Sequence, residues 1–171
     1  MAGGGPVRLN VGCGRQVIDG LINIDVVRSP NAKRDPELLC EMTSIPLPDG
    51  CADEVMAIHV FEHFYRWEVD AVLVEWKRLL KSGGQLTLEM PDLFKCMQHI
   101  LDGQPDNKGY WGLYGDPKHK DPYMCHRWGW TPTTLIALLG EHGFKQINEE
   151  TPEWHTRHKF NRDLRVIARK P

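Results

Sequence analysis

The stretch Val7-Arg8-Leu9-Asn10-Val11-Gly12-Cys13-Gly14, read together with Asp25, limits the possible folds of this chain more than any other. An apolar run meets a glycine turn, and a second short run, Leu21-Ile22-Asn23-Ile24-Asp25, ends on a carboxylate. Glycines after a buried strand let the backbone come close to a ligand, because no Cβ intervenes. In an open parallel sheet the ligand binds outside the carboxyl ends of the strands, where these residues fall. An acid at the end of the second strand can accept hydrogen bonds from both hydroxyls of a ribose. The pattern predicts an α/β fold that holds a nucleoside at residues 10–14 and Asp25.

The dinucleotide fingerprint needs G-x-G-x-x-G and an acid about 20 residues further on. Val17 stands at the third glycine position, and Asp25 comes too early for a full crossover helix. A helix N-terminus aimed at a pyrophosphate is poorly supported, which disfavours a nicotinamide dehydrogenase. The segment resembles the first motif of the class I S-adenosylmethionine-dependent methyltransferases, which join a short G-x-G turn to an acid after the second strand. Their ligand carries no phosphate. The resemblance implies a Rossmann-like, mostly parallel seven-stranded sheet, some strands short, with helices on both faces and a C-terminal antiparallel hairpin. It also implies S-adenosyl-L-methionine as cofactor.

The middle of the chain extends the likeness. Ala52-Asp53-Glu54-Val55-Met56-Ala57-Ile58-His59 reads as a strand with a buried end. Around it, Glu41-Met42-Thr43, Leu47-Pro48-Asp49-Gly50-Cys51-Ala52-Asp53 and His59-Val60-Phe61-Glu62-His63 are similar to the family's middle motifs, as is Arg78-Leu79-Leu80-Lys81-Ser82-Gly83-Gly84 further on. Glu41 replaces the usual aspartate, Cys51-Ala52 a serine and an aromatic, and Ser82 a proline. On this resemblance the cofactor-binding residues are Asn10, Val11, Gly12, Cys13, Gly14, Asp25, Val26, Glu41, Met42, Thr43, His59, Val60 and His63. His63, Asp92 and His126 are the candidate catalytic groups, each at or past a strand's carboxyl end or on the loop described next. A structural hydrogen bond is the reading for Glu62.

Val69, Val72, Leu73, Trp76, Leu79 and Leu80 recur at helical spacing and predict a helix over 67–81, ended by Ser82-Gly83-Gly84, then a strand over 85–90. From Leu93 to Trp130 no period persists beyond a short helix over 94–101. Tyr110, Trp111, Tyr114, Tyr123, Trp128 and Trp130 crowd this segment, and a long aromatic loop past a strand end reads as a substrate-facing lid over 93–130. Thr131-Pro132 is a helix start, with threonine as cap. Residues 144–150 and 164–168 predict the two terminal strands.

With 171 residues the chain has the length of one domain, expected over 7–171 behind a flexible arm over 1–6. The net charge of -2 offers no general attraction to nucleic acid or anionic lipid. No apolar run reaches the length of a membrane span, and no charged-then-apolar leader is expected from the opening residues. Five cysteines without a C-x-x-C pair predict a reduced, cytoplasmic setting and neither disulfides nor zinc. Cys13 reads as a small filler of the turn. His155 and His158 lie three apart with no third ligand nearby, so no metal is expected.

These expectations converge on methyl transfer to a small-molecule acceptor. The basic tail from His155 to Pro171 leaves a nucleic-acid acceptor as the less favoured choice. The competing class is a cofactor-binding subunit without activity that supports a catalytic partner. Neither the acceptor nor the oligomeric state is legible in the sequence.

Overall fold

The computed structural model describes residues 5–154 and 162–171. Most of the expected arm (1–4), together with His155, Arg157, His158 and Lys159, lies outside the described residues. The strands are β1 (Arg8–Val11), β2 (Ile22–Asp25), β3 (Leu38–Leu39), β4 (Ala52–Ile58), β5 (Leu80–Pro91), β6 (Lys145–Glu150) and β7 (Asp163–Arg169). The helices are α1 (Val69–Leu79), α2 (Leu93–Leu101), α3 (Lys108–Tyr114) and α4 (Pro132–Glu141). One seven-stranded sheet has the order β3-β2-β1-β4-β5-β7-β6. β1 to β5 are parallel, while β7 runs antiparallel to both β5 and β6. The mostly parallel sheet, the short strands and the C-terminal hairpin all agree with the sequence expectation.

The central strands β1, β2, β4 and β5 carry the apolar core: Leu9, Val11, Ile24, Val55, Ala57, Leu86 and Leu88 are buried in one cluster with the apolar face of α1. No helix links β1 to β2. Two buried asparagines hold that connection instead. The Asn10 amide donates to the Gln16 carbonyl (2.8 Å) and to Asn23 Oδ1 (2.9 Å). Asn23 Oδ1 also accepts from the Ile18 amide, and its Nδ2 donates to the Ile18 and Leu21 carbonyls and to Glu37. A side-chain hydrogen-bond network of this kind fixes a loop without secondary structure.

α1 ends at Leu79 rather than at Lys81, and strand pairing starts at once, Leu80 opposite Ala52. Ser82-Gly83-Gly84 therefore lies inside β5 rather than capping the helix. The backbone of Lys170 causes this, because Gly83 donates to its carbonyl (2.8 Å) and its amide donates to Gly84 (3.0 Å), which prolongs the ladder. Glu75 and Arg78 on the same helix pin the proline-rich segment before β4. The Ile45 amide donates to Glu75 (2.7 Å), and Arg78 donates to the Ile45 and Leu47 carbonyls and to Asp49.

The aperiodic 93–130 segment is ordered by α2, α3 and two short 3-10 turns. α4 begins as expected. The Thr131 hydroxyl accepts from the Thr134 amide, and Pro132 occupies the first helical position.

Candidate functional site

β1 to β5 all end along one rim of the sheet, so residues 12–14, 25–27, 40–43, 59–63 and Asp92 share it. β7 begins at the same rim, with Asp163 opposite Pro91.

At the first strand end Gly12 and Gly14 both have positive φ, +64° and +51°. A Cβ on Gly12 would lie 2.4 Å from a Val60 methyl, whereas one on Gly14 would meet no protein atom within 4 Å. Gly12 is thus set by close packing, and Gly14 borders open space. The Gly14 amide donates to Asp25 Oδ2 (2.7 Å), while Oδ1 accepts from the Val26 (2.7 Å) and Val27 (3.2 Å) amides. A carboxylate has about four lone-pair sites, so Asp25 retains capacity for a further donor. This arrangement fits a nucleoside cradle, with backbone on one side and an oriented carboxylate on the other.

The neighbouring residues complete that end. Asn10 is spent on the loop network described above, so it supports the turn. The Cys13 thiol is pushed up to about 12, by burial first and then by the Asp25 and Glu37 carboxylates, so it is no nucleophile. The Cys40 amide donates to the Asp25 carbonyl (2.9 Å), bringing Glu41, Met42 and Thr43 beside β2. Met42 is buried in the core, while Glu41 and Thr43 are exposed.

The fourth strand end is electrostatically unusual. His59 has φ +54°, a conformation that a non-glycine residue adopts only under constraint. Its amide donates to the Glu89 carbonyl (2.7 Å). Its ring sits between two carboxylates, Nδ1 at 3.1 Å from Glu62 Oε1 and Nε2 at 3.3 Å from Asp163 Oδ2. Burial opposes the charge on His59, but the Asp163 and Glu62 carboxylates outweigh it and raise its pKa to about 9. Burial likewise opposes ionisation of Glu62, and the His59 contact outweighs it, lowering its pKa to about 2. Glu62 Oε2 is buried and has no hydrogen-bond partner among the described residues.

Phe61, packed against Trp76 and Trp130, fixes the 3-10 turn Phe61–His63 in the core and so aims Glu62 and His63. His63 meets His126 edge to face, ring centroids 4.8 Å apart. His63 Nδ1 lies 3.1 Å from the Cys125 carbonyl, and His126 Nδ1 lies 2.9 Å from that of Gly112. A carbonyl only accepts, so both Nδ1 atoms carry protons and both Nε2 atoms offer lone pairs when the rings are neutral. Burial keeps the His126 pKa below the ordinary histidine value. His126 Nε2 is 3.9 Å from Glu62 Oε1.

Asp92 lies at the rim, but its carboxylate caps α2 by accepting from the Phe94 amide (2.9 Å) and stands 3.7 Å from Lys95. A cavity of about 630 Å³, walled by Tyr110, Trp111, Tyr114, Met124 and Cys125, opens within the 93–130 segment. It adjoins the histidines: Cys125 holds His63, and the His126 amide donates to the Tyr114 carbonyl (3.3 Å).

The structure therefore brings Gly12, Gly14, Asp25 and Val60 into one group and His59, His63 and His126 into another beside it. Asp163 escaped sequence reasoning because only the strand pairing carries it to His59. Asn23 and Glu37 escaped it because they act through the loop.

A family model described as "Methyltransferase domain" matches residues 9–88. No curated protein matches the chain by sequence. Solved structures match nearly the whole chain. A SAM-dependent methyltransferase from Archaeoglobus fulgidus is 18% identical, with 97% of this chain and 87% of that one covered at a TM-score of 0.66. The 1,6-didemethyltoxoflavin-N1-methyltransferase of Burkholderia thailandensis, solved with 1,6-didemethyltoxoflavin and S-adenosylhomocysteine, is 16% identical, with 96% and 71% covered at 0.65. A chain from the complex between the Haloferax volcanii Trm112 methyltransferase activator and a methyltransferase is 14% identical, with 98% and 83% covered at 0.62.

Proposed function

We propose that the chain is a class I S-adenosylmethionine-dependent methyltransferase that transfers a methyl group from S-adenosyl-L-methionine to a small-molecule acceptor, a reading supported by the methyltransferase-domain match over residues 9–88 and by the shared fold. The observation that carries this reading is the 2.7 Å bond from the Gly14 amide to Asp25, beside a Gly12 packed on Val60. It joins the glycine turn and the acid that a nucleoside needs.

The cofactor's sulfonium supplies an electrophilic methyl carbon, so the hard chemistry belongs to the cofactor. The protein binds and aligns. Residues 10–14 with Asp25 and Val26 take the ribose side, Glu41, Met42 and Thr43 the adenine, and His59, Val60 and His63 the remaining wall. The 93–130 segment serves as the lid, and its aromatic cavity receives the acceptor. His63 and His126 present Nε2 lone pairs on that side, and a general base there contributes roughly 10²–10⁴-fold. Asp92 takes part through position, since its carboxylate is engaged at α2.

Among the described residues no helix is long and apolar enough to cross a membrane. Five free cysteines support the cytoplasmic setting. A second reading, a cofactor-binding subunit serving a catalytic partner, draws on the likeness to a chain of the Trm112 activator complex.

Calorimetry with S-adenosylhomocysteine, followed by turnover of S-adenosylmethionine over a panel of acceptors, tests both. Binding with turnover by the purified chain supports the enzyme. Binding with turnover only after a partner is added supports the subunit. No binding overturns both.

A further inference from the structure

Two sets of metal-competent side chains occur among the described residues. One is His59, Glu89 and Asp163; the other is Glu62, His63 and His126. In the first, both Glu89 oxygens are already engaged, Oε2 by Arg165 (2.8 Å) and the Glu153 amide and Oε1 by the Trp154 amide, and the His59 ring is held between the Glu62 and Asp163 carboxylates. The second has unspent donors. We propose that Glu62, His63 and His126 form a binding site for one divalent transition-metal ion, although sequence spacing gave no reason to expect a metal.

The three donor atoms lie within 4.8 Å of one another. Ligands about 2.0–2.2 Å from an ion stand roughly 3–3.6 Å apart, so small side-chain rotations close the set. Each histidine is oriented as a ligand would be: its Nδ1–H is pinned to a backbone carbonyl and its Nε2 lone pair is left over. Glu62 is oriented too, because His59 holds Oε1 while the buried Oε2 has no partner. A buried ionised oxygen without a donor is costly, and a cation removes that cost. Two imidazoles and one carboxylate suit Zn²⁺, Fe²⁺, Co²⁺ or Mn²⁺ better than Ca²⁺ or Mg²⁺. Three protein ligands also leave coordination positions open, as reactive sites require.

The site deepens the methyltransferase reading, and its catalytic part rests on that reading. The acceptor class that fits such an ion is one with an acidic proton on a metal-binding atom, a hydroxyl or a thiol. A hydroxyl entering an open position loses its proton to water, because the ion lowers the hydroxyl pKa. The oxygen pair forms the bond to the methyl carbon as the carbon–sulfur bond breaks, and that electron pair stays on sulfur. With the ion bound, His63 and His126 act as ligands rather than as bases.

The test uses the full, untagged chain stripped with chelator and titrated with Co²⁺ alone, read by its visible d–d absorption and by calorimetry. Expected is one saturable Co²⁺ per chain. Losing even an outer-shell partner costs 10–100-fold, so H126A, H126Q and E62Q should each weaken binding by about 100-fold or more. H119A, outside the cluster, should bind Co²⁺ as the parent does. Circular dichroism confirms folding of each variant, and H126Q stands in should H126A unfold. Absence of saturable binding in the parent, or equal affinity in every variant, overturns the site. S-adenosylhomocysteine affinity measured on the same samples separates the two readings. If it is intact without Co²⁺ binding, only the metal site fails; if it is absent beside Co²⁺ binding, the methyltransferase reading fails.

Discussion

The Arg127 amide donates to the Glu62 carbonyl across 2.7 Å, and the Trp128 amide reaches the same oxygen at 3.2 Å. One backbone acceptor thereby ties the 93–130 segment to the turn after β4. Arg127 also lies over the Tyr65 ring at 4.5 Å, which reinforces the join. Exchange protection reports hydrogen bonds that open rarely. The Arg127 and Trp128 amides should therefore exchange slowly, although Trp128 as a residue is 45% exposed. Native-state hydrogen exchange measures this, and exchange at the rate of a free loop would show that the segment does not rest on Glu62.

Gly12 and Gly14 should respond differently to alanine. Both substitutions place a side chain at positive φ, costing about 1–2 kcal/mol. At Gly12 the new methyl also meets Val60 at 2.4 Å. G12A should lower the melting temperature more than G14A, and adding V60A should recover part of the difference, as coupled neighbours do. G14A should act mainly on S-adenosylhomocysteine affinity, because its Cβ enters the space left for the ligand. Melts and calorimetry on the four proteins test this, and equal loss from both single variants would contradict the packing argument.

Local chemistry carried much of the fold into the sequence. The glycine turn, the Thr131-Pro132 helix start and the α1 periodicity each depend on residues close together in the chain, so the first strands, α4 and most of α1 were legible. The α1–β5 junction was not, because Ser82-Gly83-Gly84 reads as a helix stop until Lys170 is seen to extend the strand ladder. The candidate site divides the same way. Gly12, Gly14 and Asp25 are a local pattern. The His59–Asp163 and His63–His126 pairs form only when β7 and the 93–130 segment return to the rim, and nothing in the spacing announces them. Asp92 is ambiguous in the other direction: an acid after a strand reads as reactive, and the fold also gives it a helix cap to make.

The buried ion pair should give the protein a distinct pH profile. The folded His59 pKa, about 9, lies above the value near 6.5 expected unfolded. Stability from this group is complete below about pH 6.5 and is lost as pH rises through about 9, a loss of about 3 kcal/mol. Glu62 is lowered to about 2, so its contribution is present above the unfolded value near 4.5 and is lost as pH falls through about 2. The two shifts describe one pair, and the gain counts once. Denaturant melts should therefore be most stable between about pH 4.5 and 6.5, and H59Q should flatten the alkaline limb. An unchanged limb in H59Q would assign the loss to other groups.

Asp92 should behave as a cap. Removing an N-cap side chain costs about 1 kcal/mol, whereas asparagine caps about as well as aspartate. D92A should lose about that much stability and D92N little, with D92N turning over within a few-fold of the parent. A loss in the 10²–10⁴ range of general acid–base catalysis in a stable D92N would make the carboxylate chemical instead.

Asp25 has two duties, and its variants should separate them. Its carboxylate accepts three backbone amides, so D25A leaves the Gly14, Val26 and Val27 donors to water and loosens the turn. D25N keeps one side-chain oxygen as acceptor and should retain more of the turn. Both remove the ionised acceptor that a ribose hydroxyl would meet, and hydrogen bonds to charged groups contribute about 1.5–3 kcal/mol each. Since about 1.4 kcal/mol is a factor of ten, S-adenosylhomocysteine affinity should fall about tenfold or more in D25N even where its melting temperature stays near the parent's. Calorimetry and thermal melts on the same samples decide between the duties. A D25N protein that binds the nucleoside as tightly as the parent would confine Asp25 to the turn and move the ribose contact elsewhere along the rim.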